Sequence, residues 1–158
     1  MGLKSSWGDS SNRNQSRGGN TSRTSHPPKK TFAVLGTDVK NQHFGNNFSE
    51  LLNMSKTENL DAILSAIEKF VSSEGQNLST SQLRNIYDKA KKALTVNELK
   101  LIRPNLAYLA GRSTNEKEKG LLAFIDILIK EVNSDQKVKE FHTFFESVVA
   151  YHKFYGKP

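Results

Sequence analysis

The sequence predicts an all-α fold, a compact bundle of about five helices preceded by a disordered polar N-terminal extension. Three observations predict it. From residue 55 onward, helix start and stop signals follow one another closely. Between them, apolar residues recur at spacings of three and four, the period of one helical face. No Val/Ile/Thr-rich alternation and no repeat of roughly 20 to 50 residues occurs in this part.

Residues 1 to 31 are built from Ser, Asn, Gly, Arg and Thr, with Trp7 the only aromatic. Ordering them would not be repaid by buried apolar surface, so they are expected to be disordered. Residues 32 to 55 scatter Phe32, Phe48 and Met54 around Gly36 and Gly45 with neither a helical nor a strand period, and are expected to be a linker with room to dock locally, an unselected tail or else a partner-binding arm. The chain is thereby divided into an extension over 1–55 and a helical domain over 56–158.

Ser55 with Glu58, Ser79 with Gln82 and Thr95 with Glu98 fit the capping box, in which a hydroxyl and a side chain three residues on satisfy free backbone donors. After the first pair, Leu60, Ile63, Leu64, Ile67 and Val71 form one apolar stripe that Gly75 ends. A second helix, about 80 to 94, should bury Leu83, Ile86, Tyr87, Ala90 and Leu94 and present a basic outer surface. A third, about 96 to 111, contains Pro104, which removes a backbone donor and should kink or divide it near Arg103. The fourth, about 115 to 132, is apolar on nearly every side of its middle and belongs at the centre of the bundle. The fifth, about 135 to 154 with Ser134 as cap, carries a stripe of Val138, Phe141, Phe145 and Val148 and a second of Phe144, Tyr151 and Tyr155. That breadth implies burial on two sides, or burial plus a protein interface.

Only 35% of the residues are hydrophobic, low for a chain folded throughout, and the formal charge is +7. Polyanions, nucleic acid first, are the default partners of such a chain. The charge is unevenly placed: residues 84 to 112 carry seven basic and two acidic groups, residues 50 to 83 carry two and five, and residues 113 to 158 carry seven of each. The absence of cysteine excludes disulfides, thiolate zinc sites and cysteine nucleophiles, and points to an intracellular, cytoplasmic home. The apolar run from Leu121 to Ile129 contains Asp126 and is far short of the roughly 18 residues that span a bilayer, so no membrane association is expected. No apolar stretch of a secretory signal is expected at the N-terminus either.

Catalytic and metal chemistry find little support. His142 and His152 lie ten residues apart, about 280° around a helix, and so do not share a face; His26 and His43 stand apart from them. Asp126 is the one carboxylate whose setting suggests a raised pKa, and a structural acceptor that caps another helix or pairs with a nearby lysine is the favoured alternative. No phosphate-binding glycine loop occurs, and no cofactor is expected. The basic stretch offers another chemistry. Arg84 and Lys91, seven residues apart, nearly superimpose on one helical face with Asp88 between them and Lys92 beside them. Asn105, Tyr108 and Arg112 recur at spacings of three and four, placing a donor, a ring and a cation together, a set suited to sugar-phosphate. A solvated charged face is the alternative.

Three blocks in order, LSTSQLRNIYDKA (78 to 90), LIRPNLAYLAGR (101 to 112) and FFESVVAYHKFYG (144 to 156), resemble the small subunit of type III-A CRISPR effector complexes, the Csm family. The resemblance spans about residues 58 to 158. It implies a five-helix protein without known catalytic activity, present in several copies stacked head to tail along a ribonucleoprotein filament. Those copies line the groove that holds crRNA paired with target RNA, through backbone contacts that do not read sequence. Other subunits of such complexes carry out cleavage. By the same resemblance Arg84, Arg103, Arg112 and Lys153 match basic positions of the family and are candidate RNA contacts, and Tyr108 matches as well. Where the family often has a basic residue after the proline, this chain has Asn105. Alternatives are the small subunit of the related type III-B complex, a helical adaptor whose basic face meets an acidic protein, and a small hydrolase using Asp126 and His142.

Overall fold

The computed structural model describes residues 29–156. The disorder expected of residues 1 to 28 lies outside them. Among the described residues there are seven α-helices, one 3-10 helix and no strand. The α-helices are α1 (Phe32–His43), α2 (Leu60–Glu74), α3 (Thr80–Lys92), α4 (Val96–Lys100), α5 (Arg103–Arg112), α6 (Glu116–Lys130) and α7 (Asp135–Tyr155), and the 3-10 helix over Gly45–Leu52 follows α1.

The centre of the bundle is α6, in which every residue from Gly120 to Ile129 is buried. A helix apolar on all sides must be covered on all sides. Here α1 and α5 pack along it, while α2 and α4 touch it as well. The other long helix, α7, receives α2, α3 and the 3-10 helix, and buries Val138, Phe141, Phe144, Phe145 and Val148. Phe44, Phe70 and Phe124 join the two halves, with Phe44 stacked on Phe124 at 4.7 Å and Phe70 tilted against it at 5.0 Å.

About five helices were expected and seven are found, for two reasons. The third expected helix is divided where Pro104 stands, into α4 and α5, with Pro104 in the first turn of α5, where its missing N–H costs nothing. Residues 32 to 55, expected to be a linker, instead form α1 and the 3-10 helix, with Val39, Phe44, Phe48, Leu51, Leu52 and Met54 in the core. Gly45, at φ +51°, supplies the left-handed residue that turns the chain between them. The helical body therefore begins at Phe32.

Caps follow the sequence where partners are local. Ser79 and Gln82 form a reciprocal capping box, and Thr95 Oγ1 accepts from Glu98 N at 3.2 Å. Glu98, however, reaches back to Leu94 N at 2.9 Å. The box expected of Ser55 and Glu58 does not form. Ser55 N and Oγ both donate to the buried Glu140 of α7, and α2 begins later, at Leu60. Leu94, expected in the core, is 71% exposed because α3 ends at Lys92 and Ala93 turns extended, so the periodic face stops one turn early.

Gly36 is where α1 approaches α6 most closely: a Cβ there would lie 2.5 Å from the Ala123 carbonyl oxygen and 2.9 Å from Ile127 Cγ2. Backbone on a helix buried all round cannot give way, so α1 would have to move off. Gly36→Ala should lower stability by about 1 to 3 kcal/mol. Gly111, helical with open space at its Cβ, should do the opposite, with Gly111→Ala stabilising by about 0.5 to 1 kcal/mol. Urea midpoints of the two variants moving in opposite directions is the check.

Candidate nucleic-acid interface

On α3 the buried residues are Leu83, Ile86 and Ala90. Arg84, Asp88 and Lys91 occupy the opposite, exposed face, with Lys92 next to them. Lys91 Nζ also lies 5.7 Å from the centre of the Tyr87 ring, which stacks on Phe145 of α7 at 5.6 Å. A ring anchored on the core thus supports one exposed cation and limits its wandering. Lys89, Lys91 and Lys92 crowd the last turn, where the helix dipole favours positive charge.

On α5, Leu106 and Ala110 face inward, and Tyr108 and Arg112 face out. Arg112 Nη1 donates to Tyr108 Oη at 3.3 Å and its guanidinium carbon sits 5.7 Å from the ring centre, so the cation and the 59% exposed ring form one unit. Asn105, half-buried, lies on the same side by its spacing. Arg103 does not join them. It is nine residues from Arg112, about 180° around the helix. Its Nε donates to Asp126 Oδ1 at 2.8 Å.

Asp126 is the buried carboxylate in the middle of α6. Its Oδ1 meets Arg103, and its other oxygen lies 3.8 Å from Lys130 Nζ. The structural-acceptor alternative therefore describes its surroundings, and His142, the partner of the hydrolase alternative, is engaged elsewhere: its Nε2 donates to the Ala90 carbonyl at 2.8 Å, closing the end of α3. His152 is wholly buried, with Nε2–H shared between the carbonyls of Gly75 and Leu78 at 2.9 and 2.8 Å. His43 Nε2 donates to Glu74 Oε1 at 2.9 Å. Among the described residues no group of His, Cys, Asp or Glu could hold a metal ion, and no helix is long and apolar enough to cross a membrane.

Lys153 is exposed near the end of α7. Arg84 and Lys91 stand on a helix packed against α7, while Arg103, Tyr108 and Arg112 stand on one packed against α6. The basic stretch of sequence is thus divided between two flanks, with α4 between them in the chain. Two features escaped the sequence analysis. Lys130, one turn after Asp126, could have been found from its i,i+4 spacing. Phe154, 81% exposed beside Lys153, has no local signal, since its neighbours Tyr151 and Tyr155 are half-buried and it is not.

The family described as Csm2 Type III-A matches residues 54–158 of this chain. A protein of Streptococcus thermophilus named "CRISPR system Cms protein Csm2" is 32% identical over an alignment of 89 residues that covers 50% of this chain and 74% of that protein. No solved structure matches significantly.

The end of α7, which carries Lys153, is tied down by Tyr155, whose Oη donates to Glu68 Oε1 of α2 at 2.6 Å. That bond, then burial, then the Glu68 charge raise the Tyr155 pKa above the ordinary 10.0. A raised folded-state value means the bond contributes stability fully below pH 10 and loses it as pH rises through the folded pKa. The difference between ultraviolet titrations of wild type and Tyr155→Phe should show a phenol ionising above 10.0, and Glu68→Gln should bring it back down.

Proposed function

Because the chain belongs to the Csm2 Type III-A family, and so is a subunit of a type III-A CRISPR Csm complex, we propose that it is a non-catalytic, multi-copy RNA-binding subunit lining the groove for the crRNA–target RNA duplex. The observation that carries this is the family match over 54–158, which contains the whole basic stretch. Membership favours type III-A over the type III-B alternative.

The chemistry asked of the protein is modest. Guide and target recognise each other by base pairing, so the protein needs to hold a sugar-phosphate backbone and its shape. Exposed Arg84 and Lys91 on α3 and Arg112 on α5 suit that task, and Lys153 adds a cation at the far end of α7. A guanidinium can take two oxygens of one phosphate. The Tyr108 ring and hydroxyl beside Arg112 suit a ribose or an unstacked base. Arg103, on the other side of α5, makes the grip two-sided rather than linear. Neighbouring copies and the large subunits of the complex are the protein partners, and the cytoplasm is the compartment. The exposed Phe154 and Leu101 are apolar groups suited to such contacts.

Purification of a tagged full-length chain from cells should bring down crRNA of uniform length together with large partner subunits. Recovery that survives RNase without any RNA crosslink would favour the adaptor alternative. In vitro, binding to single-stranded RNA without sequence preference should show a log-log salt slope near −2 if about three phosphates are neutralised. Replacing Arg103 and Arg112 together by Ala should flatten the slope to about −0.7 and weaken affinity, measured well below the variant's own melting transition. An unchanged slope in the folded double variant removes these two residues from the site.

A further inference from the structure

We infer that Asp126 is a positioning residue for phosphate binding, holding Arg103 and Lys130 from inside the core as a two-cation fork at the seam of α5 and α6. The inference rests on the RNA-binding reading above and adds to it a residue, Lys130, and a buried organiser. Asp126 is the only charged residue within the run of ten buried positions on α6. Its two oxygens divide the work: Oδ1 takes Arg103 Nε at 2.8 Å, and Oδ2 lies 3.8 Å from Lys130 Nζ. One cation arrives from the first turn of α5 and the other from the last turn of α6, so a single carboxylate ties the two helices' surface charges to one point.

Stability alone does not call for this arrangement. A buried ion pair is often no better for a core than apolar residues of the same volume, because desolvation offsets the attraction. A leucine in the middle of this helix would leave no buried charge to satisfy. What the carboxylate adds is order at the surface. The Arg103 and Lys130 side chains are 34% and 38% exposed, so each keeps part of its surface in water. The ion pair uses the Arg103 Nε, so the terminal nitrogens are not committed to it. Three charges sum to a net positive one. A phosphate diester meeting this fork finds Arg103 already held by a hydrogen bond and Lys130 drawn to the same carboxylate by an ion pair, which lowers the entropic cost of the contact.

The sign of the effect separates this role from a simple electrostatic one. Asp126→Asn removes a negative charge, so if the carboxylate acted on RNA only through its field the variant would bind more tightly. If it acts by holding the cations, the variant binds more weakly despite its extra positive charge.

The test uses the full-length chain and a 20-nucleotide oligouridine, with affinity read by fluorescence anisotropy at about 0.1 M salt, where charges interact over about 10 Å, and folding read by thermal melting. Asp126→Asn should bind about threefold or more weakly. Lys130→Ala should bind about two- to threefold more weakly, and Lys130→Arg should restore affinity. In an Arg103→Ala background, Asp126→Asn should change affinity little, because the residue it orients is gone. Equal or tighter binding by folded Asp126→Asn, with Arg103→Ala weakened, overturns the inference and leaves the RNA-binding reading standing. Wild-type affinity in Arg103→Ala overturns the reading of this face and the inference with it. Should Asp126→Asn fail to fold, Lys130 decides: wild-type affinity in Lys130→Ala overturns the fork, and its loss with recovery in Lys130→Arg supports it.

Discussion

The structure depends on one constraint, that α6 is apolar around its whole circumference from Gly120 to Ile129 and must be covered on every side. A helix of this kind cannot sit at an edge, because each uncovered side chain would forfeit on the order of 1.5 to 3 kcal/mol of burial. The other elements are arranged to meet that demand. Gly36 lets α1 lie against the Ala123 backbone, α5 closes another side with Leu106 and Ala110, and Phe70 of α2 and Phe44 meet Phe124. The same demand explains why residues 32 to 52 are part of the body although the family match starts at 54: without them the Phe124 side of α6 would face water.

A second regularity concerns charge. The buried ionisable groups each meet a specific partner: Glu74 the ring of His43, Glu140 the backbone and hydroxyl of Ser55, Asp126 the guanidinium of Arg103. Buried carboxylates that lost such partners would destabilise by several kcal/mol, so these contacts fix how the segments meet. Two of them, through His43 and Ser55, fasten the N-terminal segment to α2 and α7. Three carboxylates are thus drawn inward to structural tasks, while Arg84, Lys91, Arg112 and Lys153 remain outside.

What the sequence disclosed, and what it did not, follows from the range of the interactions. Ser79 with Gln82 is a contact three residues long and was legible, as was the division at Pro104, because a missing N–H acts on its own helix. Ser55 satisfies the same spacing rule, yet its partner is Glu140, 85 residues away, and no local pattern reveals a competitor that distant. α1 was hidden for a related reason: its contact with α6 is made around a glycine, and only Gly36 and Val39 within it are buried, too little for a periodic stripe. Of the candidate site, the α3 face and the Tyr108–Arg112 pair came from spacing, and Arg103 and Lys153 came from the family resemblance. The link from Arg103 to Asp126 came from neither, since it crosses 23 residues between two helices.

Arg103 shows why position along the sequence and position in space carry different weight for a polyanion-binding surface. Seen as sequence, residues 84 to 112 are one basic stretch; folded, they divide between a helix on α7 and a helix on α6, and within α5 the two arginines diverge by half a turn. A single extended strand laid along one line would use few of these cations. On the function proposed above, a paired duplex would present phosphates on two backbones at once, and cations that face more than one way would meet both.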